Sequence, residues 1–179
     1  MDNTLVFVSS EFGDELLVKE YLDNFNIVTS DKFNPITSNY ENVFFIIDID
    51  GVSQDIEKTM NDALNNQMSI FIVINNIDDL FKKGVSVEEF QDMLLRIFMQ
   101  CNDIVRSSNC LDKENKQISF EKGNIAFGSV KNNWLNSMPM MIKTGVNISD
   151  MENYCNNSMQ NELSQKIPFK NTILDMIRD

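Results

Sequence analysis

Ser69-Ile70-Phe71-Ile72-Val73-Ile74-Asn75-Asn76-Ile77-Asp78 is the stretch whose reading decides the fold. Five apolar residues in succession, Ile70 to Ile74, are of β-branched and aromatic type and have polar neighbours on both sides, which predicts a strand buried on both faces. Directly beyond its C-terminal end stand Asn75, Asn76 and Asp78. Ligands of open α/β sheets bind at that end of the strands, so Asn75-x-x-Asp78 is a candidate base-reading corner. The chain holds 24 asparagines among 179 residues, and roughly two Asn-x-x-Asp matches then arise by chance. The tetrapeptide alone reads as a turn, and its meaning depends on its neighbours.

Working outward, Val43-Phe-Phe-Ile-Ile47 is a second strand of the same kind, ending at Asp48-Ile-Asp-Gly51. Ser53 can cap a helix running to about Asn66, with Val52, Ile56, Met60, Ala63 and Leu64 on one face. Strand, crossover helix and strand within about 30 residues form a βαβ unit with parallel pairing. Thr4–Val8 predicts an opening strand, followed by a helix with Leu16, Leu17, Tyr21 and Leu22 at spacings of three and four. Residues 24–40, with Pro35 and only Ile27-Val28 as an apolar pair, read as mostly loop. After Asp78 a loop around Gly84 precedes a long helix from Ser86 to Val105, opened by a Ser86-x-x-Glu89 capping box. Its stripe of Phe90, Met93, Leu94, Ile97, Phe98 and Cys101 is core. Ser107 to Lys116 is polar and loop-like. Ile118–Phe120 and Asn124–Gly128 read as a hairpin or two short strands, and the Met-rich remainder from Trp134 reads as helical, interrupted at Pro139 and Pro168.

Composition bounds the function. The apolar share of 42% and the charged share of 23% are globular values, and the length suits one well-cored domain. A net charge of −12 argues against a phosphate-tracking surface and favours partners with basic surfaces. Three cysteines without paired spacing suit a reducing compartment as free thiols. Histidine is absent, which excludes His-based acid–base chemistry and the usual zinc ligand sets. Neither a signal sequence at Met1-Asp2-Asn3-Thr4 nor a membrane span is expected.

Three strand ends now fall into line: Ser9–Glu15 after the first strand, Asn75–Asp78 after a central one, and Gly128-Ser129 after a later one. In a doubly wound sheet they converge, as phosphate loop, base corner and second base contact. The chain resembles the GTPase domain of eukaryotic elongation factor 2 and its relatives in ribosome maturation and the spliceosome. The resemblance runs through Phe44–Val52, Asp62-Ala-Leu64 with Phe71–Asp78, Lys122–Ser129 followed by Trp134, and Ile167-Pro-Phe with Ile173–Ile177. It implies an α/β P-loop GTPase-like three-layer sandwich with a mostly parallel sheet, a reduced switch region and a helical C-terminal part at about residues 131–179. The later domains of a translocase are expected to be absent.

Departures from the family pattern shape the functional expectation. The family's Gly-Lys-Ser/Thr falls on Gly13, Asp14 and Glu15, so the phosphate-binding Lys and the metal-holding hydroxyl are replaced by carboxylates. Asn-Lys-x-Asp has become Asn75-Asn76-Ile77-Asp78. Asp48 and Asn75 lie 27 positions apart, room for one helix and one strand, whereas the family places two of each between its γ-phosphate sensor and base corner. Asp48-Ile-Asp-Gly51 therefore belongs to a later strand. The water-positioning histidine of translational GTPases cannot exist here, and hydrolysis by the family mechanism is not expected.

What the resemblance and its departures imply is a pseudo-GTPase, one degenerate G domain over residues 1–179. It would act as a non-catalytic protein-binding module on the ribosome or another ribonucleoprotein, in the cytoplasm or nucleus. Asn75, Asp78, Ser129 and Gly13 would form a vestigial guanine-nucleotide site with weak hold on GTP or GDP. No catalytic residue, metal ligand or resident cofactor is expected, little direct nucleic-acid binding, and no membrane binding. An alternative keeps true guanine-nucleotide binding through Asn75 and Asp78 with an unorthodox phosphate loop. A third places an acidic metal site at Asp48 and Asp50.

Overall fold

A computed structural model describes residues 4–178; residues 1–3, with the start of the N-terminal tetrapeptide, and residue 179 lie outside it. Strands β1 (Thr4–Ser9), β2 (Asn26–Val28), β3 (Asn42–Asp48), β4 (Ser69–Asn75), β5 (Ile125–Ser129) and β6 (Trp134–Ser137) form one sheet in the order β2-β1-β3-β4-β5-β6. All neighbouring pairs are parallel except β5–β6. Helices α1 (Phe12–Tyr21) and α9 (Phe169–Met176) pack on one face through Val18, Leu22, Phe169 and Ile173. The other face is covered by α2 (Gln54–Asn65), α3 (Ile77–Lys82), α4 (Val87–Ser107) and α7 (Ile148–Asn156). This is the three-layer α/β sandwich with a mostly parallel sheet that the sequence predicts. Among the described residues no helix is long and apolar enough to cross a membrane.

Alternation along the central strands builds both cores at once. Val43, Phe45 and Ile47 point into the α2/α4 core, while Phe44 and Ile46 point to the α1/α9 side. On that second side Phe7, Phe44 and Phe71 share a register across β1, β3 and β4. Their rings stack at centroid distances of 4.8 and 4.7 Å. Aligned cross-strand aromatics of this kind stabilise a pairing beyond their area alone. The chain leaves β1 for α1 on one face and β3 for α2 on the other. The crevice beyond the carboxyl ends of these two strands is therefore the topological switch point of the sheet.

The structure corrects several sequence expectations. Ile27-Val28, read within a loop, is the core of the short edge strand β2. Ile118–Phe120 is not a strand: the Asn102 side chain takes both polar groups of Ile118, at 2.9 and 3.0 Å, and Ser119 N donates to Asn124 Oδ1 at 2.7 Å. With its backbone satisfied by side chains, this segment has no ladder to join. The antiparallel partner of β5 is instead Trp134–Ser137, read as helical, and only beyond it does the chain run helical, through α6 (Met138–Thr144), α7, α8 (Gln160–Lys166) and α9. A short α5 (Lys113–Lys116) interrupts the polar loop, and α3 starts immediately after Asn76, where a loop was read. In α1 the inward face carries Glu15, Val18 and Leu22, while Leu16 is 50% exposed.

Gly128 makes the β5–β6 hairpin possible. A Cβ there would lie 2.3 Å from the carbonyl oxygen of Trp134 and 2.8 Å from Cα of Leu135. Both are backbone atoms, in a hairpin whose Trp134 also bridges Pro168. Gly128→Ala should therefore cost about 1–3 kcal/mol or more of stability. Gly13→Ala, in α1 with open space around it, should stabilise by about 0.5–1 kcal/mol. Urea unfolding of the two variants reads the contrast, and equal effects would remove the close-approach argument.

Candidate functional site

Four strand ends meet beyond the carboxyl edge of the sheet, and they bring Asn75, Asp78 and Ser129 together. Asn75 is 1% exposed and closes β4. Its Oδ1 accepts from Val130 N at 2.8 Å, and its Nδ2 donates to Asp14 Oδ2 at 3.0 Å. One amide thus ties the end of β4 to the turn after β5 and to the first turn of α1. Asn76 takes a left-handed conformation (φ 61°), which asparagine tolerates better than most residues. Its Nδ2 reaches across to Asp48 Oδ1 at 2.7 Å, at the end of β3.

Asp78 sits in the first turn of α3, 4% exposed. Its Oδ2 accepts from Asn132 Nδ2 at 2.9 Å and lies 3.6 Å from Lys82 Nζ. The Asn132 amide also donates to Ser129 Oγ at 3.0 Å, and that hydroxyl accepts from Asn132 N at 3.3 Å. Asn132, in the turn between β5 and β6, is a residue that sequence reasoning missed. It occupies a carboxylate oxygen of Asp78 with an amide N–H, the type of donor a base edge would offer.

The phosphate side is built differently from a phosphate loop. Only Ser10 and Glu11 separate β1 from α1. An eight-residue loop with Gly-x-x-x-x-Gly-Lys-Ser/Thr spacing ending at Glu15 begins at Val8. Val8 is buried within β1 and paired in register with Phe45. Gly13 is an exposed residue of the α1 helix. Glu15, 1% exposed, turns its carboxylate back onto the end of β1. There its Oε1 accepts from Ser9 N at 3.2 Å, from Ser30 N at 2.9 Å and from the Ser30 hydroxyl. A carboxylate of the first turn of α1 therefore takes up backbone donors at the end of β1 and just after β2. Ser30 follows β2 and, like Asn132, had no signal in the sequence.

Asp14 adds a second acid. Burial, then the neighbouring Glu11 carboxylate, pushes its pKa from 3.8 up to about 6; Asp48 adds to the rise, while the amide of Asn75 opposes it. Asp48 itself stands at the end of β3 and Asp50 is exposed beyond it. Among the described residues no three Cys, Asp or Glu side chains converge to hold a metal, so the Asp48/Asp50 pair lacks further ligands there. The three thiols are buried and free. Burial lifts those of Cys101 and Cys155 to about 12, which makes them poor nucleophiles.

Known proteins share part of this sequence. No family model matches the chain. It is 31% identical over 131 residues to elongation factor 2 of Methanocaldococcus jannaschii, an alignment covering 72% of this chain and 18% of that protein. Elongation factor 2 of Methanobrevibacter ruminantium is 30% identical over 137 residues, covering 75% and 19%. That of Methanopyrus kandleri is 32% identical over 131 residues, covering 72% and 10%. The chain thus spans less than a fifth of the length of these curated relatives. The sequence relationship is to elongation factor 2, through archaeal proteins.

The Asp14 environment carries a pH signature. Its folded pKa is raised, so the folded state holds the ionised form at a penalty above pH 6 that vanishes below the unfolded value of 3.8. Asp14→Asn keeps an acceptor for Asn75 and removes that penalty. It should raise Tm by about 2–4 °C at pH 7.5, the effect of about 1 kcal/mol after allowance for screening at a half-buried group. The gain should shrink as pH falls through 6 and be gone near pH 4. A Tm difference independent of pH in differential scanning calorimetry would remove this assignment.

Proposed function

We propose, from its relationship to elongation factor 2, that this chain is a degenerate G domain: a pseudo-GTPase serving as a non-catalytic protein-binding module on the ribosome or another ribonucleoprotein. The observation that carries this reading is the Glu15 carboxylate folded onto Ser9 and Ser30 at the head of α1. With Asp14 beside it and a two-residue link between β1 and α1 in place of a loop, this supports a head of α1 that does not take a phosphate. Both acids repel a triphosphate, and no Lys or hydroxyl remains at those positions for phosphate or Mg²⁺. The absence of histidine removes the residue that would position the attacking water. A net charge of −12 supports partners with basic surfaces over direct contact with nucleic acid.

A second reading, guanine-nucleotide binding without hydrolysis, is favoured by one observation: Asn75, Asp78 and Ser129 share a corner. In that reading Asn132 competes with the base for Asp78. Asn132→Ala should then give nucleotide-dependent stabilisation larger than in the parent, since a ligand at a hundred times its Kd adds about 2.7 kcal/mol.

Titration with fluorescent GTP and GDP at physiological salt separates the two. The pseudo-GTPase reading expects no binding at micromolar nucleotide and no thermal shift in the parent or in Asn132→Ala. Micromolar affinity in the parent overturns it. The protein should also co-sediment with ribosomal subunits or a splicing particle from native lysate, and its absence from both overturns the proposed setting.

A further inference from the structure

We infer that the cleft between α4 and α6 is the docking site for a basic, amphipathic segment of a partner protein. The cleft encloses about 400 Å³ and is walled by Leu94 and Leu95 of α4, Phe127 of β5, Met138 and Met141 of α6, and Ile148 of α7. Phe120, stacked on Phe98 at 5.2 Å, also lines it. Apolar surface continues outside it: Leu95 is 51% exposed, Met99 one turn further along α4 is 54% exposed, and Ile142 next to Met141 is 79% exposed. Exposed apolar residues grouped around a concavity mark a binding surface, and methionine walls adapt to an entering side chain.

The charges at the rim select the occupant. Asp92 lines the cleft, Glu88 lies one turn before it on the same side of α4, and Glu121 follows Phe120; all three are exposed. Two nearby cations have partners away from the cleft: Lys143 pairs with Asp175 at 3.6 Å and Lys122 Nζ donates to the Glu114 carbonyl. Arg96 Nε donates to the backbone carbonyl of Asp92 at 3.4 Å, and its side chain lines a separate cleft with Asp50 and Gly51. An apolar slot with an acidic margin fits a helix with leucine-like anchors flanked by Lys or Arg. A second copy of this acidic chain would meet it with like charge. The choice of a protein occupant rests on the protein-binding reading above; the site itself is independent of nucleotide and of ribosomes.

Methyl-labelled methionine spectra test the site directly, with an amphipathic Leu/Lys helical peptide as probe and its Leu/Glu counterpart as control. The Leu/Lys peptide should move the Met99, Met138 and Met141 signals and leave the buried Met60 and Met68 unmoved. Asp92→Lys should weaken binding about tenfold, a loss expected for a rim charge that is in contact. Leu95→Glu should weaken it about fivefold although it adds negative charge. Stronger binding by Leu95→Glu would mean diffuse attraction to an acidic protein and would sink the proposal, as would unmoved cleft methionines. Cleft signals that depend on protein concentration without peptide would assign the cleft to a second copy and overturn it too. Vesicles of anionic or zwitterionic lipid should leave the spectrum unchanged; a shift with either makes the cleft a lipid contact. Loss of co-sedimentation with an intact peptide response would refute the ribonucleoprotein setting alone.

Discussion

The buried amide of Asn75 is the constraint on which the carboxyl edge of this protein depends. At 1% exposure neither of its polar atoms can turn to solvent, and an unsatisfied buried donor or acceptor costs about 1–3 kcal/mol. Accepting from Val130 N fixes the turn after β5, and donating to Asp14 fixes the first turn of α1. With the turn fixed, Asn132 is held where its amide spans Asp78 and Ser129. With the helix fixed, Glu15 lies over the end of β1. The two halves of the edge are thus consequences of a single side chain satisfied at both ends.

Below the edge, the Phe7–Phe44–Phe71 stack holds the three central strands in a register that the hydrophobic pattern alone leaves to side-chain alternation. A slip by one residue would send these rings into the α2/α4 core and its valines and isoleucines to the other side. Because β3 and β4 are in phase, Asp48 lies level with Asn75, and Asn76 can reach it. The sheet register therefore sets which polar groups confront one another at the switch point. Here they are acids and amides, and Asn75 and Asn76 bond to Asp14 and Asp48.

Much of this was legible in the sequence, for identifiable reasons. Val43–Ile47 and Ile70–Ile74 are buried on both faces and so appear as unbroken apolar runs, and the Ser86/Glu89 capping box sets the start of α4 in sequence and structure alike. The convergence of Asn75, Asp78 and Ser129 follows from their places at parallel strand ends. What stayed hidden depends on partners distant in sequence. Asn26–Val28 is too short to show alternation and exists because β1 offers an edge. Trp134–Ser137 is a strand because Gly128 lets it approach, whereas Ile118–Phe120 has strand-like composition but is claimed by Asn102 and Asn124. The inward face of α1 was obscured because its first residue is an acid, Glu15, whose burial makes sense only once Ser30 is found beside it. Asn132 is one of two turn asparagines, and nothing in its neighbours announces that it bonds to Asp78.

Edge and flank of the sheet have opposite characters, and this asymmetry argues for where contact with other molecules occurs. At the carboxyl edge the polar side chains bond mainly to one another, and any anionic ligand would have to displace Asn132 or Glu15 and then face Asp14 and Asp48. Displacing a buried, hydrogen-bonded carboxylate in favour of a second anion is opposed both by lost hydrogen bonds and by like charge. On the α4 flank, apolar side chains face water around a concave slot, so covering them releases water from apolar surface without breaking any internal bond. On the proposed docking, free energy of association would be gained on the flank, while the edge stabilises the fold.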